Sequence, residues 1–375
     1  MNPIRKNLKN PFEIRPGELW ANRAYLWRII EQKIELIQLS NSNDILILVG
    51  DYGSGTTHTL LQIRKTLEEK SSIASYIRVP IQADIESLYR MFLDDLRPSE
   101  KEKVFEGLLQ DIRLYSPDLE ERVVEFSKRE RLRRADVRGA LEKFIHRNRL
   151  TQLDRSILDE YGIPVYASRL SVLDLWMKSI ATLSKERPVF ILFDELDFAD
   201  INILNHIRRI FDDITYGLNI IIGFKGTPHQ VEMKLEEAFR SRLTLRPIYL
   251  YPLSKDEAKE FLYDLLKIQG FSNPESIYNP FDAESIDTIT DLMCPCTPRD
   301  LLRTCALLFE EMRRVKDSCI TNDFVLSALR KFGSVQIIKN EQMKGKLKTD
   351  EKPRSRNKQS KNDVPSTNAN QTVSS

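Results

Sequence analysis

Ile45-Leu46-Ile47-Leu48-Val49-Gly50-Asp51-Tyr52-Gly53-Ser54-Gly55-Thr56-Thr57 is the stretch on which the fold of this chain turns. Five consecutive apolar residues of strand-forming type suit a strand covered on both faces, as in a parallel sheet. The glycines that follow match G-x-x-x-x-G-[K]-[ST] at every defined position except Thr56, which stands where that pattern has lysine. Glycines let such a loop wrap so that backbone N–H groups and the start of the next helix face phosphate oxygens. Leu60 to Lys70 supplies the helix, and the Thr57 hydroxyl falls where it can ligate magnesium. A plain glycine turn between a strand and a helix is the alternative.

A second apolar run, Val189 to Phe193, ends in Asp194-Glu195. A buried strand that delivers two carboxylates to one sheet edge can hold magnesium with the first and polarise water with the second. Further strands are expected at Ile73 to Val79, Asn219 to Phe224 and Thr244 to Leu250. Helical periodicity between most of them argues for parallel strands joined by crossover helices. An amphipathic helix from about Leu19 to Leu39 precedes the first strand.

Composition narrows the classes. The chain has 375 residues, 41% hydrophobic and 30% charged, with 57 Lys and Arg against 55 Asp and Glu. This suits two or three packed units, and the net charge of +2 carries no global nucleic-acid signal. The longest apolar runs are five residues, far short of the roughly 20 that cross a bilayer. No apolar stretch of signal-peptide type follows Met1, so a cytoplasmic protein is expected. Cys294, Cys296 and Cys305 lack zinc-site spacing and are expected to be reduced thiols.

More than a hundred residues separate the second and third strands, so a helical insertion is expected over about 84–160. Its segment Lys128, Arg129, Arg131, Arg133, Arg134 and Arg138, continued by Lys143, Arg147 and Arg149, is strongly basic. It fits either a solvated helix face or phosphate binding. After Pro252 four helical patterns follow: Lys255 to Gln269, Ala283 to Met293, Pro298 to Val315 and Asn322 to Phe332. Asp256, Ser285, Thr297 and Thr321 suit caps or first turns, and Gly270 and Gly333 suit helix ends. Residues 336–375 are polar and basic, and are expected to be a disordered tail.

These motifs together resemble the AAA+ ATPases, within the branch of replication initiators and loaders and transposition-type ATPases. The resemblance spans about residues 10 to 335. It rests on Gly50 to Thr57, Asp194-Glu195, Ile220 to Pro228, Phe239-Arg-Ser-Arg-Leu243 and Thr297-Pro-Arg299-Asp-Leu-Leu-Arg303. It implies an α/β P-loop fold, a parallel sheet with flanking helices, and a four-helix lid. The implied boundaries are 1–40 for the N-terminal segment and entering helix, 41–252 for the nucleotide-binding domain, and 253–335 for the lid. The implied cofactors are ATP and Mg2+. Gly50, Asp51, Tyr52, Gly53, Ser54, Gly55, Thr56 and Thr57 would then line the phosphates, with Thr57 and Asp194 at the metal and Glu195 at the hydrolytic water. Thr227 would be the first sensor, and Arg242 or Arg240 the finger that reaches a neighbouring subunit's nucleotide. Arg299 would be the lid arginine, and Asn10-Pro-Phe12 would approach the adenine. A homo- or hetero-oligomer is implied, with nucleic acid as a candidate partner through the insertion and tail. A missing lysine contact costs about 1.5–3 kcal/mol, so hydrolysis is expected to be slow or absent, and Lys225 is the nearest replacement charge. A pseudo-ATPase scaffold that binds protein through its inserted helices is the competing expectation.

Overall fold

The computed structural model describes residues 9–14, 23–40, 43–114, 134–145, 149–160, 172–227, 229–231, 233, 246–271 and 277–331. Met1–Ala328 form one compact unit, and Leu329–Ser375 form a second that contributes only 329–331 to the described residues. The expected tail and Gly333 lie outside them.

Five strands form the sheet: β1 (Asp44–Gly50), β2 (Ile73–Arg78), β3 (Val189–Asp194), β4 (Leu218–Lys225) and β5 (Ile248–Leu250). All pairings are parallel, in the order β2-β3-β4-β1-β5. The chain leaves β1 and returns at the far edge as β2, so the loop after β1 sits where strand order reverses. In open α/β sheets such a point opens a crevice at the carboxyl ends of the strands.

Alternation along each strand divides the core in two. Ile45, Ile47 and Val49 pack with Val189, Ile191, Phe193, Ile220, Ile222 and Phe224 against one set of helices. These are α3 (Ile85–Asp95), α4 (Pro98–Leu114), α7 (Val172–Ser184) and α8 (Ile201–Asp213). Leu46, Leu48, Phe190, Leu192 and Ile221 face the other way. They meet Ile30, Ile34 and Ile37 of α1 (Ala24–Ser40) and Leu60, Ile63 and Leu67 of α2 (Thr56–Glu69). Strands covered on both faces explain why their sequences are unbroken apolar runs.

The insertion is helical where described: α3, α4, α5 (Arg134–Ile145) and α6 (Gln152–Glu160) precede α7. Lys128, Arg129, Arg131 and Arg133 lie outside the described residues, as do the side chains of Arg134 and Arg138. Lys143, within the same basic segment, is already paired: its Nζ contacts both oxygens of Asp154 at 3.0 and 2.9 Å. No helix among the described residues is long and apolar enough to cross a membrane.

Four helices follow the sheet: α9 (Lys255–Ile268), α10 (Ala283–Met293), α11 (Pro298–Val315) and α12 (Asn322–Lys331). The expected helices stand to within a residue, and the residues expected at caps or first turns fall there. Ser254 and Asp282 are the N-caps of α9 and α10, with Asp256 and Ser285 inside the first turn, while Thr297 caps α11 as expected. Alternation and periodicity locate a helix, whereas the cap is chosen by which side-chain oxygen reaches the third backbone N–H. β5 is also shorter than expected, 244–245 being outside the described residues, and Lys225 is the last residue of β4 rather than one that follows it. All four cysteines are free thiols.

Trp176 of α7 is fully buried among Tyr89, Phe92 and Phe193, with ring centroids 6.1, 5.8 and 6.4 Å away. Trp176→Ala is expected to destabilise the unit by about 3–5 kcal/mol through the lost burial and the cavity left behind. Urea unfolding checks this, and a loss below about 1 kcal/mol would show that the insertion side of the core does not depend on this ring.

Candidate functional site

The loop after β1 is built on left-handed glycines. Gly53 has φ 88° and Gly55 φ 105°, and the Ser54 N–H closes the turn by donating to the Asp51 carbonyl at 2.9 Å. A Cβ on Gly50 would fall 2.1 Å from Ser54 Oγ, so only glycine lets the loop fold back on its own strand. Helix α2 then starts from Gly55 with no side-chain cap. Its first-turn N–H groups, lacking intrahelical acceptors, and the helix dipole suit an anion.

Asp194, at the end of β3, is fully buried. Its Oδ2 accepts from the Thr57 hydroxyl at 2.7 Å and the Tyr76 hydroxyl at 2.8 Å, and its Oδ1 accepts from the Glu195 N–H at 3.0 Å. Burial, then the Asp194 charge, pushes the Tyr76 hydroxyl's pKa far up, so it remains a donor. Glu195 adopts φ 60°, and this left-handed turn swings its carboxylate to the strand ends. There Arg78 Nε and Nη2 hold Oε2 and Oε1 at 2.9 and 3.0 Å, and Lys225 Nζ pairs with Oε1. The Arg78 hydrogen bonds foremost, with those and the charge of Lys225, pull the Glu195 carboxyl from its ordinary 4.5 down to about 2 against the opposing effect of burial.

A cavity of about 500 Å³ lies between this loop and the four-helix segment. Gly53 to Thr57 and Lys225 line one end; Phe12, Phe261, Leu302 and Ala306 line an apolar part; Arg299 and Arg303 of α11 complete the wall. The contact between loop and α11 is direct, since the Arg299 N–H donates to the Gly53 carbonyl at 3.3 Å. A Cβ on Gly53 would lie 2.7 Å from Thr297 Oγ1 and 2.8 Å from Arg299 Cβ. Phe12 is buried edge-on against Phe281 and Phe309, and Asn10 Nδ2 donates to the Ala306 carbonyl at 3.3 Å. The donors suit magnesium and a nucleoside polyphosphate: a hydroxyl and a carboxylate 2.7 Å apart beside a glycine loop, a helix N-terminus, cations and an apolar recess.

The expected site residues separate into groups. Asp51, Gly53, Ser54, Gly55, Thr56, Thr57 and Arg299 line the cavity, Gly50 lies beneath the loop, and Asp194 stands behind Thr57. Tyr52 is mostly exposed, with its ring 5.4 Å from Lys225 Nζ. Thr227 is exposed and hydrogen-bonded to Gln230 Oε1 at 3.1 Å, outside the cavity lining. Arg240 and Arg242 lie outside the described residues. The sequence reading missed Tyr76 and Arg78, although Arg78 pairs in register with Asp194. It also missed Arg23, which lines the cavity while donating to the Ser54 carbonyl at 3.0 Å and the Tyr251 carbonyl at 2.5 Å. Two strand ends at one edge were a usable signal for Arg78, whereas no pattern in sequence marked Arg23.

No protein-family model and no curated protein matches the sequence. Solved structures do match in fold. The ADP form of the Aeropyrum pernix ORC2 protein has TM-score 0.51 at 11% identity, over 85% of this chain and 71% of that one. Drosophila ORC bound to DNA gives 0.49 at 12%, over 90% and 70%. The Thermotoga maritima RuvB Holliday junction branch migration motor gives 0.45 at 12%, over 84% and 72%. This chain thus shares its overall fold, a five-stranded parallel sheet flanked by helices, with the ORC2 structure.

Because the folded-state pKa of Glu195 lies below its unfolded value, the clamp on its carboxylate stabilises the fold above pH 4.5. That contribution drains away as pH falls from 4.5 toward about 2. Glu195→Gln is expected to flatten this part of the stability profile, measured by urea unfolding at stepped pH. An unchanged acid limb would mean that the carboxylate is not clamped in solution.

Proposed function

We propose that this chain binds a nucleoside triphosphate with magnesium, ATP by its resemblance, in the cavity between the glycine loop and the four-helix lid. The observation that carries the reading is the Thr57–Asp194 hydrogen bond of 2.7 Å beside left-handed Gly53 and Gly55. It joins the hydroxyl and carboxylate that a phosphate-bound magnesium needs to the loop that a phosphate needs. Gly53 to Thr57 would hold the phosphates through backbone N–H groups, Thr57 and Asp194 the metal, and Glu195 the attacking water. Magnesium there would neutralise charge on the terminal phosphates. The purine would lie toward Phe12, Phe261, Leu302 and Ala306, under Arg299 of the lid.

Nucleotide would act on assembly as much as on chemistry. Loop and lid already touch through Gly53 and Arg299, so a ligand between them changes how the lid is held, and with it any surface a neighbouring subunit meets. A finger from Arg240 or Arg242 and a DNA-associated role remain part of the proposal on sequence grounds: the Arg-rich segment after the sheet and the basic runs of the insertion and tail. Hydrolysis is slow in this reading, because Arg78 holds both oxygens of Glu195, the group that would orient water.

A second reading is favoured by the same clamp. A scaffold that keeps the fold without turnover needs no free glutamate, and Glu195 is not free. Calorimetric titration with Mg-ATP, alongside steady-state phosphate release, separates the two. The expected outcome is binding with a low turnover that Glu195→Gln abolishes while affinity is kept. Binding with no turnover in either protein would establish the scaffold, and no binding at all would overturn the nucleotide site.

A further inference from the structure

We propose that Lys225, the last residue of β4, replaces the lysine that Thr56 lacks and carries the positive charge to the terminal phosphates of a nucleoside di- or triphosphate. The inference rests on the nucleotide reading above and names the residue that completes it.

The first observation is where Thr56 goes. It is buried, and its Cγ2 lies 2.8 Å from where Gly223 would carry a Cβ, so this side chain is packed onto β4 beneath the loop. Its hydroxyl lies 3.4 Å from Ser54 Oγ. Position 56 is therefore used for close docking of α2, which the bare backbone of Gly223 permits.

The second observation is what stands next to it. Residues two apart on a strand share a face. Lys225 therefore leaves β4 on the same side as Gly223, one step nearer the crevice, and it pairs in register with Gly50 at the root of the loop. Its side chain is 8% exposed and lines the cavity with Asp51 and Gly53 to Thr57, and the Tyr52 ring flanks its ammonium at 5.4 Å. A long flexible stem on the neighbouring strand thus delivers the charge that a helix-borne lysine would deliver from position 56.

The third observation concerns its present partner. Glu195 already receives two hydrogen bonds from Arg78, one on each oxygen. Arg78 lies outside the cavity lining, so the Glu195–Lys225 pair adds a second cation to a carboxylate that has one, and that second cation is the one facing the phosphate end. The other cations of the wall differ in kind. Arg23 donates to two backbone carbonyls, and Arg299 and Arg303 belong to the lid. A polyphosphate offers Lys225 more negative charge than half of a shared carboxylate does, and drawing it away would leave Glu195 to Arg78 alone.

The test is a competition titration of the full chain with AMP, ADP and ATP, in parent, Lys225→Met, Lys225→Arg and the double variant Lys225→Met with Thr56→Lys. Loss of one charge-assisted contact predicts ATP and ADP affinity about ten- to a hundredfold weaker in Lys225→Met. AMP affinity should be unchanged, and ATP affinity should recover at least in part in Lys225→Arg and the double variant. Unchanged ATP affinity in Lys225→Met, with the parent binding well, overturns the proposal and leaves the nucleotide site standing. Equal loss of AMP and ATP assigns Lys225 a structural role and also overturns it. A parent chain that binds no nucleotide overturns the site and the proposal together.

Discussion

Side chains leave a β-strand alternately on its two faces, and this constraint assembles the site. On the face where α2 docks, β2 presents Ala74, Tyr76 and Arg78, β3 presents Phe190, Leu192 and Asp194, and β4 presents Ile221, Gly223 and Lys225. The inner members of each set are apolar or small and hold α2 to the sheet. The last members are charged, because each strand's final residue reaches the crevice. Asp194 therefore has Arg78 beside it on one strand and Gly223 on the other, with Lys225 two residues further along. Were any of these strands to slip by one residue, its charge would turn into the opposite core.

Close docking of α2 is the second requirement, and it sets the chemistry of position 56. Gly223 removes the one side chain that would hold the helix off the sheet, so Thr56 and Leu60 pack against bare backbone. In that geometry a β-branched hydroxyl side chain fills the space and the cation comes from the adjacent strand. The hydroxyl of the next residue, Thr57, meets Asp194, and Tyr76 holds the same carboxylate oxygen from the other side. Two neutral donors orient a buried carboxylate, which a divalent cation can then bind.

The lid is coupled to this centre through backbone rather than through long side chains. Thr297 caps α11, Pro298 occupies its first turn, and the Arg299 N–H reaches Gly53, so the helix start and the loop share one packed contact. Gly53 accepts this approach because it has no Cβ. The cavity wall is thus divided between the loop and strand end of the sheet and the start of α11.

The sequence by itself determined the α/β class, the parallel sheet, the glycine loop, the Asp194–Glu195 strand end and the four lid helices. Each of these depends on local spacing: unbroken apolar runs for strands covered on both faces, helical periodicity for helices, glycine where φ must be positive. It also showed that Thr56 stands in the lysine position. Only the tertiary structure decided that Arg78 and Lys225 flank Glu195, that Tyr76 supports Asp194, that Arg23 braces the loop, and that Thr227 lies outside the cavity lining. Those facts depend on strand order and on where strands end relative to one another. Residues 78, 195 and 225 are far apart in the chain, and they meet because β2, β3 and β4 are neighbours in the sheet, which no local spacing records.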